Sequence, residues 1–515
     1  MAGDIKHSIL NPTVTKRTFL AGSVASLALS AQPFGIRQAI AQTAEWDLIV
    51  VGGGTAGMPA ALFAADRGAR VLVIDKAPQL GGTMDRSSGQ VAAAGTVWQK
   101  EQGIEDSPDA HYDDVMRINR NTSDPVLTRL LVDNAADTLN WFAARGFTVM
   151  DHHPVMGGGH EPFTTRRYQW SPDRAQAFQN IMEPLLLKAQ ADGRVKVLTD
   201  TGAVDLVQDD SGAVRGVVTV NDTGERVDYR AKNVLLTSGG CMSNPRMFED
   251  LHGLPLFCEV AYPYSQGQGI TLGLGAGGYV RGGDKYATLF GTILESEYFP
   301  APAIGSASLS PQRRPPWEVF VNVHGKRFVR EDHPSVAHRE YTLGLQPGHR
   351  HWAIFDQEIL DTAPPFIPRW SREKLDDAFI DHPMFAKAET LGELGVKAGV
   401  NPYNLEREIS AYNDGVLYGK PDAMGREHRP LAVGKGPFYA IRLQGWNVMS
   451  YAGLGVDGQL RVTRSDGSPI PNLYAAGEVT GNATTSGHAL TNGMGVTPAL
   501  TFGRLLGQRI IPFTA

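Results

Sequence analysis

Residues 46–57, WDLIVVGGGTAG, constrain this chain more than any other stretch. Residues 48–51 form a short apolar run of the kind that becomes a strand buried on both faces. Gly52, Gly54 and Gly57 follow at G-x-G-x-x-G spacing, with Thr55 and Ala56 inside the motif. Residues 58–67 then read as a helix ended by Gly68. The glycines have separate tasks: a tight turn, close approach of backbone to a pyrophosphate, and close packing of helix on strand. The first helical turn offers N–H groups and a positive dipole end to phosphates. Residues 71–74 form the next apolar strand, and Asp75 ends it where an acid reaches a ribose hydroxyl. Strand, helix, strand and acid in this order predict a dinucleotide site, and the fingerprint alone does not choose between NAD and FAD.

A chain of 515 residues exceeds what one hydrophobic core serves, so two or three domains are expected. Hydrophobic content of 42% and charged content of 20% describe an ordinary globular protein, and a net charge of -6 gives no reason to expect nucleic acid. The two cysteines, Cys241 and Cys258, exclude a disulfide framework and a four-cysteine metal centre, and no other metal-ligand spacing is present. No uncharged apolar run is long enough for a membrane span. Residues 1–44 differ from the rest. Thr15-Lys16-Arg17-Thr18-Phe19-Leu20 precedes a mild apolar run, and Ala39-Ile40-Ala41 offers a small-x-small cleavage pattern. This resembles a twin-arginine export signal with Lys16 in place of the first arginine, which implies a periplasmic protein; a disordered tail on a cytoplasmic protein is the alternative.

Farther along, residues 78–96 are glycine-rich and poor in bulk, as suits a segment running beneath a flat ring. Residues 124–146 read as a helix capped by Asp124, with Leu127, Leu130, Leu131, Ala135, Leu139 and Phe142 on one stripe. The turn-rich segment 151–170 carries three histidines and two arginines and reads equally as a binding surface or a solvated loop. Residues 195–220 show a hairpin pattern, and 234–240 repeat the strand-to-glycine turn. From 285 to 430 prolines, aromatics and charges increase, which predicts an inserted second domain containing a hairpin at His324-Gly325. Glycine-rich motifs return at 450–457, 473–481 and 486–503.

Together these motifs resemble the flavoprotein family of fumarate reductases, succinate dehydrogenases and 3-ketosteroid Δ1-dehydrogenases. The matching residues include 50–57, Asp75-Lys76, Gly81-Gly82-Thr83, Ser87-Ser88-Gly89, 92–96, 235–240, 325–331 (GKRFVRE), 473–481 and 498–503. The resemblance implies an α/β chain with an α+β cap: a Rossmann-like FAD-binding domain of glutathione-reductase type at 45–284 and 431–515, with a capping, substrate-shaping domain inserted at 285–430. It implies FAD, held without a covalent bond because Asp85-Arg86 stands where some relatives carry a linking histidine. Besides the first motif, the residues it places about FAD are Asp75, Lys76, Gly82, Thr83, Ser88, Gly89 and Gly95. Ala203, Gly239, Gly240, Gly477, Glu478, Gly495 and Val496 complete that set. The implied reaction moves hydride between a substrate carbon and flavin N5, and a proton at the neighbouring carbon.

The departures from the family pattern narrow the substrate. Asn492 stands where the dicarboxylate members have a clamping arginine, Val448-Met449 where they have a histidine, and Ser335 near their proton-donating arginine. Losing three groups that bind or protonate a dianion argues against a C4 dicarboxylate. Residues 493–503, GMGVTPALTFG, instead resemble the ketosteroid dehydrogenase ending, where a glycine N–H polarises a carbonyl, although the tyrosines of those enzymes are not matched. The expected catalytic set is therefore Gly493, His488 and Asn492 around a carbonyl oxygen, with His333 or Tyr451 as base and Arg339 as a substitute donor. A turn position for His333 and a packing role for Tyr451 are the alternatives. The expected activity is oxidation or reduction of a CH–CH bond beside a carbonyl in a small molecule, with a redox partner or quinone-type acceptor. A fumarate-reductase-like enoate reductase fed by a periplasmic electron carrier is a second reading, and a flavin electron-transfer protein without turnover is a third.

Overall fold

The computed structural model describes residues 45–513, and the export signal expected over 1–44 lies outside them. The chain enters on β1 (Trp46–Val51), α1 (Gly57–Asp66) and β2 (Val71–Ile74). Leu48, Ile49 and Val50 are fully buried because β1 is paired on both edges and covered on both faces. Such a position is what a continuous apolar run encodes. Helix α1 is rich in buried alanine, which lets neighbouring backbone come close.

Next come α2 (Pro125–Ala143) and α3 (Gln176–Ala191). The Asp124 carboxylate accepts from the N–H groups of Val126 and Leu127 at 3.0 Å, so α2 begins where its sequence predicts. Strands β3 (Val195–Leu198), β4 (Thr201–Gln208), β5 (Val214–Asn221) and β6 (Arg226–Leu236) follow, with β4 and β5 the expected hairpin.

A second sheet contains β7 (Leu289–Leu294), β8 (Ala303–Ser306) and β9 (Val319–Val321), then, beyond α4 (Val336–Gly344), β10 (Arg350–Asp356), β11 (Phe385–Ala388) and, after α5 (Pro402–Tyr418), β12 (Phe438–Trp446). Its order is β8-β7-β12-β10-β9, with β11 also on β12. Phe320, Trp352, Phe355 and Tyr439 give it a core of its own. The inserted domain thus runs past the expected end at 430. Strand β12, placed by sequence in the returning FAD-binding part, pairs with β7 and β10. The sequence signal for the return was glycine, and β12 has only Gly445 near its end. The same core takes in Phe257 and Cys258, which precede the expected boundary at 285.

The chain then rejoins the first sheet through β13 (Arg461–Thr463) and β14 (Pro469–Ala475) and closes on α6 (Val496–Leu505). The first sheet has the order β13-β14-β6-β1-β2-β3, parallel from β14 to β3. From β1 the chain goes first to β2 on one side and later to β6 on the other. A crevice opens outside the carboxyl ends of strands at such a reversal. Among the described residues no helix is long and apolar enough to cross a membrane.

Candidate active site

A cavity of ≈ 890 Å³ occupies that crevice, bordered by the turns that leave β1, β6 and β14. At the β1 turn, Gly52 has φ +104°, and a Cβ on Gly57 would lie 1.9 Å from the Gly52 carbonyl oxygen. Gly54 has no neighbour closer than 3.8 Å to such a Cβ and borders the cavity with Gly52, Thr55 and Ala56. Helices α1 and α6 both begin on this wall, at Ala56 and Gly495, without a side-chain cap and without an acid in the first turn. By contrast, α2 and α4 begin on the hydrogen-bonding side chains of Asp124 and Ser335. An uncapped helix start leaves its N–H groups and dipole for an anion from outside the chain.

Asp75 also borders the cavity, and its carboxylate accepts from Gly53 N at 2.7 Å and from Ala77 N at 2.9 Å. Burial raises its pKa, against which these two N–H groups act. The acid therefore ties the phosphate turn to β2 while facing the nucleotide space. Lys76, Gly82, Thr83, Ser88, Ala203, Gly239, Gly477, Gly495 and Val496 stand on the same wall. Gly57, Gly89, Gly95 and Gly240 do not. A Cβ on Gly89 would meet Ala175 N at 2.4 Å, and one on Gly240 would meet Ser450 Oγ at 1.9 Å. Gly95 donates its N–H to Gln99 Oε1 at 2.6 Å. These glycines serve packing and turns behind the wall.

Glu478 is on the wall with its Oε1 held by Ser450, which donates from its backbone N–H at 2.8 Å and its hydroxyl at 3.0 Å. Burial pushes its carboxyl pKa up and both bonds oppose the rise. Sequence reasoning missed Ser238, Tyr262, Tyr264 and Gln266, which line the nucleotide region. Ser238 sits inside the 234–240 turn already read, and for the other three the paired tyrosines of YPYSQGQG were a visible signal.

The rest of the lining is the 480–495 wall, made of residues 480–482, 484, 485 and 490–495 with Val448, Met449, Tyr168 and His160, and it meets the start of α6 at Gly495. Three residues of this wall carry buried polar atoms without a partner: Asn482 Nδ2, Thr491 Oγ1 and Asn492 Oδ1. Buried polar groups are nearly always paired, so such a cluster marks where polar atoms of a bound molecule belong. With the uncapped helix starts, it shows that the cavity fits a dinucleotide bearing a polar ring system. Asn492 Nδ2 is bound to the Glu161 carbonyl at 2.8 Å, which leaves its Oδ1 as an acceptor. Gly493, at φ +77°, stands beside it.

The other expected catalytic residues are not on this wall. His333 stacks on His338 with ring centres 4.2 Å apart, and its Nδ1 accepts from Ser335 N. Tyr451 is fully buried, packs against Tyr286 and donates its hydroxyl to the Ala489 carbonyl at 2.8 Å. His488 lies behind the loop, with its backbone N–H on Thr122 Oγ1; burial and the nearby Lys285 and Arg120 hold its pKa down. Arg339 is buried, donates to the Leu309 carbonyl, and is pushed down to about 10 by burial. Motif position predicted these roles, and side-chain direction overrules it. No wall residue lies between 285 and 447. The cap, expected to shape the site directly, reaches it through the 151–170 segment instead. There His160 Nδ1 is 2.9 Å from Glu340 of α4, and the Glu161 carboxylate accepts from Ser335 Oγ at 2.8 Å.

The FAD binding domain family matches residues 47–496. Fumarate reductase (cytochrome) of Shewanella frigidimarina is 28% identical over 473 residues, covering 91% of this chain and 77% of that protein. Urocanate reductase of Eggerthella lenta is 28% identical over 482 residues, covering 90% and 74%. The crystal structure of 3-ketosteroid Δ1-dehydrogenase from Sterolibacterium denitrificans superposes with a TM-score of 0.68 at 20% identity, covering 91% of this chain and 99% of that one, and shares the fold. With its glycine turns, uncapped helix starts and two-domain architecture, the chain belongs to the FAD binding domain family and is an FAD-dependent oxidoreductase.

Proposed function

We propose that this enzyme oxidises or reduces a CH–CH bond beside a carbonyl in a substrate that is not a dicarboxylate. The observation that carries this reading is the composition of the 480–495 wall. It presents Thr491 Oγ1, Asn492 Oδ1 and the Gly493 backbone, and no arginine or lysine. The only strong cations bordering the cavity among the described residues are Lys76 and Arg86, both near the nucleotide end beside Asp75 and Gly82. A dianion needs a bidentate guanidinium or its equivalent. A carbonyl needs one or two donors, which the Thr491 hydroxyl and Gly493 N–H supply as charge builds on oxygen. Asn492 acts as an acceptor, for a ring N–H or a substrate hydroxyl.

FAD bound in this cavity supplies the hydride half of the chemistry. The protein's part is to hold the ring against the 480–495 wall, polarise the substrate oxygen and move one proton. We take the flavin to be non-covalent, with Arg86 at the wall beside Asp85 where a linking residue would stand. We also propose export to the periplasm on the Lys16-Arg17 signal, with electrons exchanged with a separate carrier or quinone. The enoate-reductase reading has support in the names of two relatives, a fumarate reductase and a urocanate reductase.

Anaerobic mixing of the holoenzyme with saturated ketones and ketosteroids tests oxidation, by bleaching of the flavin band. Mixing the reduced holoenzyme with enones, fumarate and other enoates tests reduction. Reaction with ketones or enones and none with fumarate supports the proposal. Rapid reoxidation by fumarate alone would sink it in favour of the second reading.

A further inference from the structure

The segment that connects the cap to the cavity carries a titratable group not assigned by any motif. His160 stands on the wall just after the Gly157-Gly158-Gly159 turn. Its Nδ1 is 2.9 Å from Oε1 of Glu340, a buried carboxylate on cap helix α4. The next residue, Glu161, gives its carbonyl to Asn492 Nδ2 at 2.8 Å. The Glu161 carboxylate accepts from Ser335 Oγ at 2.8 Å and Ala337 N at 3.2 Å, at the start of the same helix. His160 is thereby placed at the polar end of the cavity and oriented from the cap. A carboxylate on Nδ1 fixes the tautomer and leaves Nε2 as the basic nitrogen. Among the described residues Nε2 has no protein partner. The other ionisable group at this end is the Tyr168 phenol, whose pKa burial raises, so it is a poor base at neutral pH.

We propose that His160 is the catalytic residue that takes and returns the proton at the substrate carbon next to the carbonyl, and that Glu340 is its positioning residue, contributed by the cap. The proposal rests on the carbonyl reading of the site. In the oxidative direction the α C–H bond breaks and its proton passes to Nε2. The electron pair left on carbon becomes the new double bond as the β-hydrogen departs, as hydride, to the two-electron oxidant FAD. In the reductive direction Nε2 returns the proton to the α-carbon. Because Glu340 belongs to the cap, the base is completed only when the cap is docked on residues 160–161.

Burial alone would lower the His160 pKa; the charge and hydrogen bond of Glu340 outweigh it and the net direction is upward. The charged groups around the pair are Arg339 on α4, Glu161, and Arg117, whose Nη1 is 3.7 Å from Glu161.

The test uses full-length holoenzyme with His160→Gln, Glu340→Gln and Glu340→Asp made separately, and the ketone that bleaches the wild-type flavin fastest. Flavin content is read by absorbance, the bleaching rate by anaerobic stopped flow across pH, and α-proton exchange into D2O by NMR. His160→Gln is expected to retain FAD and lose about 100-fold in both bleaching and exchange. Glu340→Gln is expected to lose about 10-fold and to shift the acid limb of the rate profile to lower pH, with Glu340→Asp recovering part of the loss. Exchange and bleaching within about threefold of wild type in His160→Gln overturn the assignment, as does an unmoved limb in Glu340→Gln. Should His160→Gln fail to hold FAD, the limb in Glu340→Gln decides alone. A wild-type holoenzyme that reacts with no carbonyl compound overturns the reading of the site itself, a separate outcome.

Discussion

The two ends of the cavity are built from different material. The nucleotide end is made of backbone: Gly52, Gly54 and the uncapped starts of α1 and α6, with Asp75 bracing the turn through two N–H groups. The other end, where the proposed chemistry lies, is made of side chains brought from distant parts of the sequence, His160 and Tyr168 from one segment and Thr491 and Asn492 from another. Backbone presents the same groups whatever the neighbouring side chains are, so the first end suits one cofactor across many enzymes. Side chains can be exchanged one at a time, so the second end is where substrate choice is made.

If that contrast holds, damage at the first end removes the cofactor and damage at the second leaves it in place. The largest effect is expected for Gly57→Val. Its Cβ would fall 1.9 Å from the Gly52 carbonyl oxygen, and overpacking of this kind costs about 3 kcal/mol. Purified protein should be colourless and melt earlier, as absorbance and calorimetry would show. Next, Thr491→Val and Asn492→Leu should keep full flavin absorbance while slowing reduction by substrate about 100-fold. Loss of flavin from either would blur the distinction between the two ends.

A smaller change is expected from Asp75→Ala. It removes the acceptor for two N–H groups and should weaken FAD binding about tenfold, measurable by titrating the apoprotein, with turnover of the loaded enzyme unchanged. The smallest concerns stability and pH. The His160 pKa is raised in the fold, so its ion pair with Glu340 stabilises fully below the ordinary value of 6.5 and ceases to as pH climbs through the folded value. The melting difference between wild type and Glu340→Gln should accordingly be larger at about pH 5.5 than at about pH 9. A difference independent of pH would mean that packing, not charge, joins cap to wall.

The same contrast governs what could be read from the residues. The βαβ unit, the Asp124 cap and Asp75 were legible because each follows from local spacing: a glycine where backbone must approach, an acid at a strand end; Glu478 came from the family resemblance. Gly57, Gly89, Gly95 and Gly240 carry the same glycine signal but stand behind the wall, the first two and Gly240 in close packing and Gly95 in a turn bound to Gln99. His333, Tyr451 and His488 were placed by motif position, which gives order along the chain but not the direction of a side chain. The histidine-rich 151–170 segment was read as a binding surface or a solvated loop, but the His160–Glu340 pair was not legible because its partners are 180 residues apart. Strand β12 is preceded by Gly434, Gly436 and Pro437, and turn residues mark where a strand starts, not which sheet it joins.

Glu161 ties two adjustments together. Its main chain accepts from Asn492 while its carboxylate accepts from the start of α4, so any shift of this residue is felt by the cavity wall and the cap helix in one stroke. A lineage adapting this scaffold to a bulkier molecule could not retune one without disturbing the other. The easier evolutionary route runs through the side chains of Val448, Met449 and Leu490, wall positions that, among the described residues, make no hydrogen bond to the cap.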